Sequence, residues 1–217
     1  MFSKMYSKLS VLFCASVLTA AAQATVIDID LSGATTGTSI TAPGASFATS
    51  FAGQTVSGTT LSGNPTGPLS LVASGSLTVA AWSPSCTGCD AGNSILPQPG
   101  NLAPLSVLLD SAADSFELVM GSASSGATVE IDFFDSVGVI VNSITQVYSS
   151  GYNMYSFSGF GLFSGLSFHS NNDPSGVRYM DMSYNSVGAA SVPESGSLAL
   201  LGLGLVGLTI ARRRAKR

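Results

Sequence analysis

The sequence predicts an all-β body, an antiparallel β-sandwich or jelly-roll-like domain, placed between an N-terminal signal helix and a C-terminal transmembrane helix. Three observations carry this prediction. The second half of the body alternates apolar and polar residues with period two, as in "ATVEIDFFDS", where Val129, Ile131 and Phe133 fall on one side and Glu130 and Asp132 on the other. Short strand-like runs recur between Gly, Ser, Asn and Asp turns, and no stretch of the body reads as a long amphipathic helix. Uncharged apolar segments stand near both ends of the 217-residue chain, each beside a group of basic residues. The divisions that follow are 1–24, 25–190 and 191–217.

The first segment has the three parts of a secretory signal peptide in order. Lys4 and Lys8 make a positive n-region, an apolar stretch runs from Leu9 to about Ala22, and "AQA" places small residues at Ala22 and Ala24. Cleavage by signal peptidase then leaves Thr25 as the first residue. Cys14 follows Phe13, where a lipoprotein anchor needs a small residue, so no lipid anchor is read there.

Charge sorts along the chain in the same way. Of eight Lys and Arg, two lie in the leader and five in the last six residues, which leaves Arg178 alone in the body against eleven of the twelve Asp and Glu, a net −10, with Glu194 in the tail. Such a body has no basic surface to neutralise phosphates, which excludes nucleic acid as its partner. Two cysteines remain after the leader is removed, Cys86 and Cys89 in "CTGC". Turn-forming flanks ("WSPS", "DAGNS") argue against a redox site, and a zinc site needs two more ligands. A short-loop disulfide in an oxidising compartment is the reading preferred.

The body offers strand pieces at Thr25–Leu31, Ser46–Phe51, Leu69–Val72, Ser76–Trp82 and, after the Pro/Gly loop "LPQPGN", Asn101–Asp110. "SFELVMGS" puts Phe116, Leu118 and Met120 on one face. "GVIVNSITQVY", "YNMYSFSGF", "LSFHSN" and "VRYMDMSYNSV" follow as separate strands. No fixed period appears, so a solenoid is not indicated.

Candidate chemistry is sparse. His169 is the only histidine, and a Ser/His/Asp triad would require it as base. No G-x-S-x-G turn is present, and a solvent-exposed turn histidine is preferred. Glu130 and Asp132, with Asp135 near, have the spacing of a glycosidase pair, although the same alternation makes a solvated outer face, which is preferred. No cofactor is expected, with calcium as the alternative through the oxygens of Asp28, Asp30, Asp173 and Asp181. Trp82 and tyrosines 148, 152, 155, 179 and 184 make either a sugar-stacking platform or core packing.

The tail is the most specific part. Val192-Pro193-Glu194 is followed by sixteen uncharged residues, Gly196 to Ala211, and then by "RRRAKR". As a helix the sixteen span ~24 Å, short of the ~30 Å hydrocarbon core, and arginine stems snorkel across part of the shortfall. Arg212, Arg213 and Arg214 stop translocation and stay cytoplasmic while the body is outside. Pro193 keeps Val192 extended. The order V-P-E, a Gly/Leu-rich span, then an arginine cluster resembles the PEP-CTERM sorting signal of Gram-negative bacteria over residues 192–217. The same kind of tail is also named after an ice-binding protein that bears it. Ser195 stands where the family commonly has a second proline. The resemblance implies recognition by an exosortase, an integral membrane cysteine transpeptidase-type enzyme that cuts near the Pro-Glu step. The expected history is an exported, inner-membrane-tethered precursor, then a protein of the cell surface or extracellular matrix.

The layout and the "YMDMSY" last strand are similar to the β-sandwich bodies found ahead of such tails, which implies a carbohydrate-binding-like fold. The expected function is non-enzymatic: adhesion, or binding of exopolysaccharide in a biofilm. The alternatives are a secreted hydrolase acting on glycans around Glu130 and Asp132, and an ice- or surface-binding protein using the Thr-rich first half, where TxT regularity is missing. Expected partners are signal peptidase, exosortase, the membrane and extracellular polysaccharide.

Overall fold

The computed structural model describes residues 24–82, 91–100, 102–122, 127–147, 151–170 and 176–187. The signal and transmembrane helices, the Cys86–Cys89 pair, Asp173, Tyr148, the Val192-Pro193-Glu194 motif and Arg212–Arg214 lie outside these residues.

Among the described residues every regular element is a strand, and every ladder is antiparallel. The strands are β1 (Ala24–Ile29), β2 (Ile40–Ala42), β3 (Ala45–Ala48), β4 (Ser50–Phe51), β5 (Thr55–Ser57), β6 (Thr60–Ser62) and β7 (Leu71–Val72). They continue with β8 (Ser76–Trp82), β9 (Gly92–Gln98), β10 (Leu105–Ser122), β11 (Thr128–Phe134), β12 (Ile140–Val147), β13 (Gly151–Ser170) and β14 (Arg178–Val187). The main sheet runs β12-β11-β13-β10-β14-β9-β8, with β1 on β14 and the β2–β3 hairpin on β10.

The sheet is folded onto itself. Phe168 of β13 is the ladder partner of Leu105, eleven residues before Phe116 and about 36 Å away along a straight strand. Yet the Phe116 and Phe168 rings are 6.4 Å apart, and Phe168 also meets Tyr179 of β14 at 5.2 Å. The bend lies where the β10–β13 register shifts, between Leu108 and Ser115, and where Gly159 and Gly161 take φ of 82° and 88°. Extra residues looped out of a ladder sharpen twist and turn the strand. The two halves so formed bury Leu105, Val107, Phe116, Phe133, Phe163 and Tyr184 between them.

The bend corrects the sequence reading. The expected pieces at Asn101–Asp110 and "SFELVMGS" are one strand, β10, and "YNMYSFSGF" and "LSFHSN" are one strand, β13. Gly, Ser and Asp at these points read as turns, but a bulge uses the same residues without ending the strand. β9 is also a correction, since the sequence reads "DAGNS" as a turn-forming flank and "LPQPGN" as a Pro/Gly loop, and β9 takes in part of each. Its Pro97 pairs Leu77 on β8, while β14 meets β9 only at Ser94 and Ile95. Proline is tolerated because that position faces no second ladder. Ser76–Trp82 forms as expected, and β11 buries Val129, Ile131 and Phe133 while Glu130 and Asp132 stay half-exposed.

A second cover lies on the outer face of β13. Phe51, fully buried, packs edge-on against Phe134 at 5.7 Å. The Gln54 side chain accepts from the Phe51 amide at 2.9 Å, and Ser106 and Ser167 hydroxyls meet at 2.9 Å beneath. Gly165 is required here, because a Cβ would stand 2.7 Å from the Phe51 ring and 2.8 Å from Leu69.

Candidate functional site

Position 181 is where β14 changes neighbours. Tyr179 and Met180 pair with Ile95 and Ser94 of β9, whereas Met182 and Ser183 pair with Ile29 and Asp28 of β1. Asp181, between them, is the one non-glycine residue with positive φ among the described residues, at 47°. Aspartate is one of the few residues that tolerates this conformation. The β10 ladder also slips here, between Glu117 and Val119. The result is a gap between the end of β1 and the start of β9.

That gap is a cleft of about 490 Å³ whose polar lining is Asp30, Ser32, Asn93 and Asp181. Each wall is fixed locally. The Ser32 amide donates to Asp30 Oδ1 at 2.8 Å and its hydroxyl to Oδ2 at 3.0 Å, an Asx-type turn that ends β1. The same two bonds, the backbone one first, hold the Asp30 carboxyl below the ordinary aspartate value. Asn93 Nδ2 donates to the Leu31 carbonyl at 2.8 Å and ties β9 to the same turn.

A second, shallower cleft of about 470 Å³ shares Ala91, Gly92 and Asn93 with the first and is completed by Ala81 and Trp82. Trp82 is 38% exposed. Its ladder partner is Gly92, which offers no side chain to cover the indole. The indole is held from the other sides. The Arg178 guanidinium lies 3.9 Å from its ring centroid, and Tyr152 sits 5.5 Å away, tilted 49°. Arg178 in turn donates to Ser94 Oγ at 3.0 Å, and that hydroxyl donates to the Ala80 carbonyl at 2.8 Å. Ser94 is fully buried, so its hydroxyl has one orientation and Arg178 is locked by it. Gly121 lies between the Tyr152 and Arg178 ladder positions, where a Cβ would run into β13.

The structure separates the sequence candidates. Asp30 and Asp181 meet in one cleft, and Trp82 and Tyr152 form one aromatic pair. Asp28 is exposed opposite Ser183. Tyr179 and Tyr184 are core residues, the latter donating to the Gly44 carbonyl at 3.0 Å. Among the described residues no three His, Cys, Asp or Glu side chains converge as a metal site would require. Ala24 and Thr25 are the first two residues of β1, opposite Val187 and Ser186.

His169 is a correction. It is not a solvent-exposed turn residue but lies within β13, 6% exposed, with Nε2 3.2 Å from Glu130 Oε2. The reason is alternation: Phe168 points to the core, so His169 shares the outer face with Ser167, where Phe51 and Leu69 crowd Gly165 and Gln54 reaches Ser167. Its Nδ1 is buried without a partner. With Nε2 taken by Glu130 and Nδ1 unoriented, no serine is held against it as a triad demands. Glu130 and Asp132 line neither cleft.

Sequence reasoning missed Arg178, Ser94, Gly92 and Asn93. Arg178 had one signal, that of being the body's lone cation; Gly92 and Asn93 looked like loop.

No protein-family model matches the chain, and no curated protein does. Solved structures give distant likenesses. A family 29 carbohydrate-binding module in complex with mannohexaose is 16% identical, with 75% of this chain and 92% of the module covered and a TM-score of 0.37. Another family 29 module is 17% identical, with 75% and 89% covered and a TM-score of 0.35. The enzymatically active domain of tailspike protein 4 of bacteriophage CBA120 is 16% identical over 50% of this chain and 18% of its own, with a TM-score of 0.31. Similarity at this level assigns neither a ligand nor an activity.

Proposed function

We propose that the chain is exported, retained by its tail and sorted by an exosortase to the cell surface or matrix, where its body acts as a non-catalytic glycan-binding module. The observation that carries the binding reading is the exposed Trp82 indole beside a cleft of carboxylates, an amide and a hydroxyl. An aromatic face takes the apolar face of a sugar ring, and convergent polar groups fix its orientation. The volumes suit a carbohydrate ligand, falling within the roughly 300–1,000 Å³ of ordinary ligand sites. Export and sorting rest on the leader and on the resemblance of residues 192–217.

Trp82 is the only tryptophan, so its emission reports binding directly. Titration of the exported protein with matrix polysaccharides is expected to shift that emission. Trp82→Ala is expected to weaken retention on the same polymers by about 2 kcal/mol, roughly thirtyfold. An emission that no polysaccharide moves, together with unchanged retention of the variant, removes the glycan reading. Sorting is tested separately: Pro193→Ala with Glu194→Ala should leave the precursor in the membrane fraction, and release at the normal rate overturns it.

A further inference from the structure

We infer that the two clefts are consecutive subsites for an extended neutral polysaccharide, and that Asp30 and Asp181 exclude acidic chains. This rests on the glycan reading above and gives it a ligand class.

The clefts are consecutive because they share one wall. Ala91, Gly92 and Asn93 border both, so a chain seated on the indole runs past Asn93 towards Asp30 and Asp181. A single sugar fills one cleft; a chain of several rings occupies both. Gly92 keeps the passage open, since a Cβ there would meet nothing within 4 Å.

Charge decides the class. The polar side chains that line the cleft are anionic or neutral: two carboxylates, an amide and a hydroxyl. Neutral sugars bring hydroxyl donors to such a site, whereas a uronate brings a third carboxylate. Ser32 donates to both Asp30 oxygens, which holds the carboxyl below the ordinary aspartate value and favours its charged form. Among the described residues that line the cleft there is no cation. Arg178 lies flat on the indole and is tied to Ser94, so it positions Trp82 and does not line either cleft. The remainder of the body adds to the repulsion, with net −10 over residues 25–190. Within the cleft, ligand and carboxylates are closer than the ~8 Å screening length of physiological salt, and like charges so placed act against the wrong partner.

The test uses the exported protein and Trp82 emission. The probes are neutral glucan, mannan and galactan chains, and the same chains with primary hydroxyls oxidised to carboxylates. At least one neutral chain is expected to bind roughly tenfold or more tighter than its oxidised form at 0.15 M salt, with long chains binding better than disaccharides. Asp30→Asn with Asp181→Asn should close most of that gap; asparagine makes the same Asx turn and tolerates the same φ, so the backbone is kept. Equal or tighter binding of the oxidised chains overturns the inference and leaves the glycan reading standing. Oxidised chains that become the better ligand only when calcium is added also overturn it, since the carboxylates then hold a cation. Binding of neither kind overturns both readings together.

Discussion

Gly165 and Gly92 are both strand glycines, and they mark opposite fates of a sheet surface. At Gly165 the missing Cβ makes room for Phe51 and Leu69, so the outer face of β13 is roofed. At Gly92 the missing Cβ leaves empty space beside Trp82 and the shelf stays open. The roofed region holds buried serines and His169; the open region holds an exposed indole braced by Arg178. A glycine in a strand weakens it in both places, so each must be offset by what its absence of side chain allows. In one region that is packing, and in the other it is access.

Phe51→Ala should break the roofed half of this contrast, with the largest effect. Removing a fully buried phenylalanine costs roughly 3–5 kcal/mol, read by denaturant unfolding, and glycan binding by the folded fraction should not change. Gly165→Ala should cost roughly 1–3 kcal/mol by overpacking, and less in the Phe51→Ala background, where the ring is gone and the tight Leu69 contact remains. Equal costs in both backgrounds would mean that the roof does not rest on Gly165.

Gly92→Leu should do the reverse. The side chain has space, so stability should stay within about 0.5 kcal/mol of the parent. It stands opposite the indole, and binding should fall roughly tenfold or more, the scale of a filled hot-spot pocket. A stable variant that binds as well as the parent would show that the shelf is not the site.

The smallest effect sharpens the polar wall. Asp30 has a depressed folded pKa, so its charge contributes stability that is present above the ordinary aspartate pKa and lost as pH falls through the folded one. Ser32→Ala removes the hydroxyl donor but keeps the amide, the larger of the two causes. The Asp30 midpoint, followed by NMR, should rise towards the ordinary value and stop short of it. A midpoint that does not move would mean that the hydroxyl bond is not formed in solution.

Much of the strand content could be read from the chain, because alternation reports directly which side of a strand is buried. Val129, Ile131 and Phe133 are core residues for that reason, and Ser76–Trp82 has the limits its pattern indicates. What alternation does not report is a bend inside a strand, or a cover over the second face. Hence β10 and β13 were each divided in two, and His169 was placed in solvent. The site was half legible. Asp30 and Asp181 stand among the calcium-ligand candidates, and Trp82 and Tyr152 among six aromatics that make either a stacking platform or core packing, but as unrelated features. Their meeting depends on ladder neighbours 150 residues apart in sequence, and on a switch of partner at Asp181 that no local pattern encodes. Ser94 and Gly92 carry no signal alone, because one acts through its hydroxyl's orientation and the other through a side chain it lacks.

The position of β14 in the sheet also has a consequence in time. Among the described residues it is the last strand, yet it borders β1, β9 and β10 at once. A chain that leaves a translocation pore N-terminus first therefore carries three unfinished edges until residues 178–187 emerge. Their arrival closes all three ladders and brings Asp181 to Asp30 in the same step, so the cleft between β1 and β9 comes into being only when these strands are complete.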